Sequence, residues 1–139
     1  MTNHLFPYGR EGFLDGSIDW DTNTIRLTLI DRDNYKISGG SVHRFYGVVT
    51  PLAARVKVSD VNALLSKTVT SGIADAGNIT LSAVSGNAFG AIVIWADSGS
   101  VDTSRLIAYI DTGTGLPASP NSGDIEIQWS NGASSIFQL

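Results

Sequence analysis

Apolar residues in this chain come in short runs, separated at short and even intervals by glycine, serine, asparagine and aspartate. The string Thr24-Ile-Arg-Leu-Thr-Leu-Ile-Asp31 alternates. Ile25, Leu27 and Leu29 fall on one face and Thr24, Arg26 and Thr28 on the other, the two-residue period of a half-buried strand. Arg55-Val-Lys-Val58 repeats the pattern briefly, and residues 67–70 and 78–84 are rich in β-branched side chains between glycines. Residues 90–97 and 105–111 are nearly all apolar, which predicts central strands covered on both faces. Asp124-Ile-Glu-Ile-Gln-Trp129 alternates again, and residues 134–139 close the chain. About eight short strands with no long segment of helical period predict an all-β chain. The expectation is one domain spanning residues 1–139, a β-sandwich or jelly-roll-like fold with a short N-terminal arm over residues 1–16. Helix fits in two places only, residues 8–15 ending at Gly16 and residues 60–66.

The last two runs flank Asn131-Gly132, a strong hairpin signal. A two-residue loop would split their apolar side chains between faces. A three-residue loop, Ser130-Asn131-Gly132 with a bulge, pairs Trp129 with Ala133 and Ile125 with Phe137. That register places Ile125, Ile127, Trp129, Phe137 and Leu139 on one face and leaves out Ile136. Because a one-residue slip turns every side chain over, burial selects the bulged hairpin.

Composition narrows the chemistry. With 42% hydrophobic residues, the 139-residue chain can build a substantial core. It has no cysteine, so disulfides, thiolate zinc sites and cysteine nucleophiles are excluded. Nine basic residues against thirteen acidic give a net charge of -4, which repels a phosphate backbone, so nucleic acid is not an expected partner. The longest apolar runs, Ala91-Ile-Val-Ile-Trp-Ala96 and Leu106-Ile-Ala-Tyr-Ile110, fall far short of the roughly 18 residues of a spanning helix. The first ten residues lack a basic stretch followed by an apolar one, so neither a membrane nor secretion is expected.

Each string that could carry chemistry has a plainer reading. Ile110-Asp111-Thr112-Gly113-Thr114 matches the short signature around an aspartic-protease aspartate. That chemistry needs a second carboxylate sharing a proton, and so a dimer, a flap and a further apolar segment. The residues after Asp111 are taken up by a turn and the last two strands, so Asp111 reads as a strand end opening a glycine-rich turn. Asp31-Arg-Asp-Asn-Tyr35 starts like a calcium loop but has Lys36 at the glycine position and Val42 at the bidentate glutamate. Asp15, Asp19 and Asp21 around Trp20 read as turn-capping carboxylates. The two histidines, His4 and His43, have no Gly-x-Ser-x-Gly elbow to serve, adjacent Ser66 and Lys67 would point to opposite faces of a strand, and no phosphate-cradling glycine loop exists. No catalytic residue, metal ligand or cofactor is assigned, and an enzyme is not expected.

The arm remains. Leu5, Phe6, Tyr8 and Arg10 precede the first long strand and combine bulky apolar groups with an arginine. Such residues either cover an open end of the sandwich or anchor the chain on a neighbour. Because the long strands start near Thr24, removal of residues 1–10 is expected to leave the fold intact.

Tyr8-Gly-Arg-Glu-Gly-Phe13, Gly16-x-Ile-Asp-Trp20, Thr24-Ile with Leu29-Ile-Asp31, and Ser104-Arg-Leu-Ile-Ala-Tyr-Ile-Asp-Thr112 stand out as a set. So do Gly115-Leu-Pro117, Pro120-Asn121, Gly123-Asp124-Ile125 and Ile127-Gln-Trp-x-Asn-Gly132. Together they resemble a family of small virion-associated structural proteins of tailed bacteriophages and prophages, over almost the whole chain, with residues 36–58 the least alike. The resemblance implies a virion protein made in the bacterial host cytoplasm, most simply a capsid cement (decoration) protein. Its partners would be the major capsid protein or other virion proteins, and it would be a homo-oligomer, with a trimer favoured. The size, the absence of fibre-type heptads and the acidic, lysine-poor composition fit the outside of a shell. The alternatives are a tail or neck component, or a receptor- or carbohydrate-binding module. For the last, Trp20 is the tryptophan expected at the surface, with Trp95 and Trp129 in the core.

Overall fold

The computed structural model describes residues 3–35, 43–49, 55–58, 63–132 and 135–139. Among these residues the chain is all-β, with one short α-helix. In chain order the elements are β1 (His4–Leu5), α1 (Pro7–Asp15), β2 (Ile25–Ile30), β3 (Arg55–Val58), β4 (Ile73–Ala74), β5 (Ile79–Leu81), β6 (Ala91–Ala96), β7 (Leu106–Ile110), β8 (Ile125–Ile127) and β9 (Phe137–Gln138). Five strands form one antiparallel sheet in the order β1-β7-β6-β2-β3. Two small antiparallel ribbons, β4 with β9 and β5 with β8, make the second layer.

The long alternating string is β2, and Ile25, Leu27 and Leu29 share one core as expected. Its other face is not solvated, which corrects the half-buried reading. Thr28 and Ile30 are fully buried there because a second layer of side chains, Tyr35, Tyr46 and Val49 among them, covers that face. The two apolar runs are β6 and β7, covered on both faces. Ile92 and Ile94 face the core shared with the ribbons, while Ala91, Val93 and Trp95 face a second core closed by Phe6, Tyr35, Tyr46 and Val49. A register shift punctuates their pairing: Ile94 stands opposite Ala108 and Trp95 opposite Leu106. Ile107 is therefore the extra residue of a bulge, and it joins Ala108 in the ribbon-side core while Leu106 joins the other.

The C-terminal hairpin does not form, and neither proposed register is present. β8 pairs with β5 (Ile79 opposite Ile127) and β9 with β4 (Ala74 opposite Phe137). Ala133 and Ser134 lie outside the described residues. The apolar bookkeeping survives with different partners: Ile125, Ile127, Trp129 and Phe137 all pack on the ribbon-side core. The two marginal residues exchange places, since Ile136 packs on that core and Leu139 is 57% exposed. Of the two predicted helices, residues 7–15 form α1, ended by Gly16 in the left-handed conformation (φ 80°) that glycine adopts without strain. Residues 63–66 are not helical, and residues 59–62 lie outside the described set.

Candidate functional site

The N-terminal segment is part of the sheet and not a loose arm. His4 and Leu5 pair with Tyr109 and Ala108, and the Phe6 amide donates to the Ile107 carbonyl at 2.9 Å. The Asn3 side-chain oxygen accepts from the amides of Asp111 (3.1 Å) and Thr112 (3.2 Å) and from the Thr112 hydroxyl (2.8 Å), so it caps the turn after β7. Phe6 is fully buried, a burial worth about 1.5–3 kcal/mol. The expectation that residues 1–10 are dispensable for folding is thereby corrected: they supply an edge strand and a core side chain. Of the four candidate interaction residues, Leu5 packs half-buried on the ribbon-side core and Phe6 is spent inside the chain. Tyr8 is half-buried and Arg10 is exposed. These two remain open to a partner.

Helix α1 starts with Pro7, which suits the first turn because no intrahelical donor is lost there. It lies against β7 through Gly9: a Cβ at this position would fall 2.5 Å from the Leu106 carbonyl oxygen. This close approach delivers Tyr8 to a cluster that spacing alone did not reveal. The Arg105 guanidinium carbon lies 4.0 Å from the Tyr8 ring centroid and that of Arg44 lies 5.2 Å away, while Phe45 meets the ring edge-on at 5.3 Å. Arg105 also donates to the Tyr8 carbonyl at 3.2 Å and approaches Asp15 at 3.7 Å. The Ser17 hydroxyl and amide hold the Asp15 carboxyl below the usual carboxylate range, with Arg105 adding to the effect. Leu14 on the same helix is 89% exposed, and Val48 and Val101, in segments bridged by the Gly47 amide bond to the Val101 carbonyl (2.9 Å), are each 42% exposed. Two arginines and two aromatic rings thus meet where α1 packs on β7. Phe45 and Arg105 are bridged backbone to backbone, a long-range pairing no local pattern announces.

The acidic motifs behave as turn caps. Asp31 accepts from the Asp33 amide (2.9 Å) and from the side chains of Asn34 (2.7 Å) and Asn87 (2.9 Å). Burial alone would raise its carboxyl, and these bonds outweigh it, leaving the group below its ordinary range. Asp19 accepts from the amides of Asp21 and Thr22. Among the described residues, no group of three or more histidines or carboxylates is placed to hold a metal ion. Asp111 lies at the β7 end with its side chain nearly buried, 3.6 Å from the Arg32 guanidinium. Lys67 donates to the carbonyls of Asn23 (3.0 Å) and Leu64 (3.4 Å). Among the described residues no helix is long and apolar enough to cross a membrane.

The tryptophans correct the surface expectation. Trp20 is 3% exposed and its indole donates to the Asp75 carbonyl at 3.0 Å. Trp95 is buried as expected, stacked on Tyr46 at 4.1 Å and donating to the Thr28 hydroxyl at 3.0 Å; that hydroxyl donates in turn to Tyr46 at 2.9 Å. Trp129 is the half-buried one. Its ring lines a groove of about 860 Å³ whose walls come from the turn after β7 and from β8 with the residues that follow it. Phe89 and Ile92, both almost fully buried, form the base. The Trp129 indole N–H is buried and has no hydrogen-bond partner among the described residues, a donor that costs about 1–3 kcal/mol to leave unmet.

Both histidines converge on Phe6, edge-on from His4 (5.5 Å) and stacked from His43 (6.4 Å). The His43 Nδ1 shares a 2.7 Å hydrogen bond with the Tyr35 hydroxyl. Burial, and then the neighbouring His4, press the His43 imidazole below its ordinary value. Burial, aided by Tyr109, pushes the Tyr35 phenol well up. The chain matches no protein-family model and no curated protein.

Proposed function

We infer that this chain is a structural subunit of a tailed-bacteriophage virion, a capsid cement protein that seats on the outside of the shell and stabilises it. The observation that carries the reading is the arginine–aromatic cluster of Tyr8, Arg44, Phe45 and Arg105. These are the side-chain types that anchor protein interfaces, and here a helix docked without slack on a sheet holds them in place. The Tyr8-to-Phe13 and Ser104-to-Thr112 motifs of the family resemblance supply Tyr8 and Arg105 of this cluster, while Arg44 and Phe45 come from the segment least like the family. Tyr8 and, on the same helix, exposed Arg10 are the contacts to the major capsid protein, while Leu5 and Phe6 fix the start of this segment on the two cores. A homotrimer of sandwich or jelly-roll subunits at a symmetric shell position is the matching assembly. A protein that binds the intact lattice and not free coat subunits stabilises the shell by mass action, and several modest contacts at one symmetric site suffice.

The test is co-sedimentation with assembled shells. The intact chain is expected to pellet with shells and to leave free coat subunits alone, while Tyr8→Ala with Arg10→Ala loses retention and keeps its circular dichroism. Full retention of the double variant sinks the assignment of this surface. A copy number per virion equal to that of a single ring, in place of one comparable with the coat, makes the chain a tail or neck component.

A further inference from the structure

The geometry points to a second binding site, independent of the shell-facing cluster: the groove beside Trp129 takes a neutral oligosaccharide. Its volume of about 860 Å³ lies within the range of sites that enclose small ligands. The base is apolar, with Phe89, Ile92 and the ring of Trp129, which suits the C–H face of a pyranose. The rim is polar in a particular way. Exposed Glu126 offers a carboxylate and exposed Gln128 an amide; Asp124 already accepts from the Ala83 amide (3.0 Å) and keeps its second oxygen, and Asn121 accepts from the Gly123 amide (3.0 Å) and keeps its side-chain N–H donors. A sugar hydroxyl, itself donor and acceptor, matches that mixture. No lysine or arginine lines the groove among the described residues, and the two carboxylates repel anions, so sialylated, sulfated or phosphorylated ligands are disfavoured. Gln128 already donates to Glu126 at 2.5 Å, and this pair on the edge of β8 presents a fixed acceptor surface. None of these residues belongs to the Tyr8 cluster, so loss of one site leaves the other in place.

The probes are maltotriose, cellotriose and chitotriose as neutral ligands and sialyllactose as the anionic control, titrated into the intact ¹⁵N-labelled chain. At least one neutral trisaccharide is expected to bind with a Kd of about 1 mM or tighter, shifting the Trp129 indole resonance and leaving those of Trp20 and Trp95 in place. Trp129→Ala should weaken binding at least about tenfold. Should that variant unfold, exposed Glu126→Lys keeps the test alive, since it reverses a rim charge without touching the base. It is expected to weaken the neutral sugar by a similar factor. No saturable shift with any of the three neutral sugars overturns the proposal. So do shifts that map away from β8, unchanged affinity in a folded Glu126→Lys, or sialyllactose binding as tightly as its neutral counterparts. Shell co-sedimentation of the same variants stays at the unmutated level, which separates failure here from failure of the cement reading.

Discussion

The two faces of the central sheet are built differently. On one, Phe6, Tyr35, Tyr46 and Val49 close over β6 and β7, and the polar atoms of Thr28, Trp95 and Tyr46 satisfy one another in a buried chain of hydrogen bonds. On the other, two ribbons of two- and three-residue strands cover a larger core, leave a groove, and leave the Trp129 indole unpaired. Non-glycine residues with positive φ belong to this second layer and its connections: Ser66, Ser71, Ala83, Ser122 and Ser135. The closed face is tied by buried side-chain hydrogen bonds, and the ribbon face is the one that leaves a groove where a ligand has room to sit.

The sharpest break of that comparison is Phe6→Ala. It empties the closed face and should cost about 3–5 kcal/mol in urea unfolding, far more than any single change lining the groove. Next comes Gly9→Ala, whose new methyl meets the Leu106 carbonyl; a loss of about 1–3 kcal/mol is expected, with faster hydrogen exchange along β7. The same substitution at Gly16 meets nothing within 4 Å and costs only its left-handed backbone, about 1 kcal/mol. A third pair tests the hydrogen-bond contrast directly. Thr28→Val strands the Trp95 indole and should cost about 1–3 kcal/mol, whereas Trp129→Phe removes a donor that already lacks a partner and should be close to neutral in the same assay.

The smallest effect is one of pH. His43 is held below its ordinary value in the folded chain, so folding disfavours its charged form. The folded state then binds fewer protons than the unfolded one. Stability is fully present above the unfolded value near 6.5 and is lost as pH falls through the lower folded value. The depressed carboxylates Asp31 and Asp97 also weaken the fold, at more acid pH. Thermal melts between about pH 7.5 and pH 5 should therefore fall more steeply for the unmutated chain than for His43→Gln. Equal slopes would remove His43 from the account.

Strands β2, β6 and β7 were legible because alternation and unbroken apolar runs report burial, and Gly16 because only a left-handed residue stops α1 there. The last two strands were recognised as segments and mispaired. Asn131-Gly132 is a local signal, while the choice of β5 and β4 as partners is a long-range one that buries the same side chains equally well. For the same reason Trp20 was misjudged: its cover, Phe137 at 5.2 Å, comes from the far end of the chain. Tyr8 and Arg10 were visible as an arm, but Arg44, Phe45 and Arg105 come together only once β7 and its flanks have folded.

The capping of β7 by residues 3–9 also decides how the chain behaves among copies of itself. Leu106-Ile-Ala-Tyr-Ile110 is apolar and uncharged, and without β1 it would present a free row of amides and carbonyls. Such an edge recruits strands from other molecules. Two residues of pairing, one Phe6 amide bond and a glycine-faced helix close it within a single chain. A copy clipped before Pro7 would carry a sticky edge, and its first failure in concentrated solution would be fibrous or amorphous association through β7.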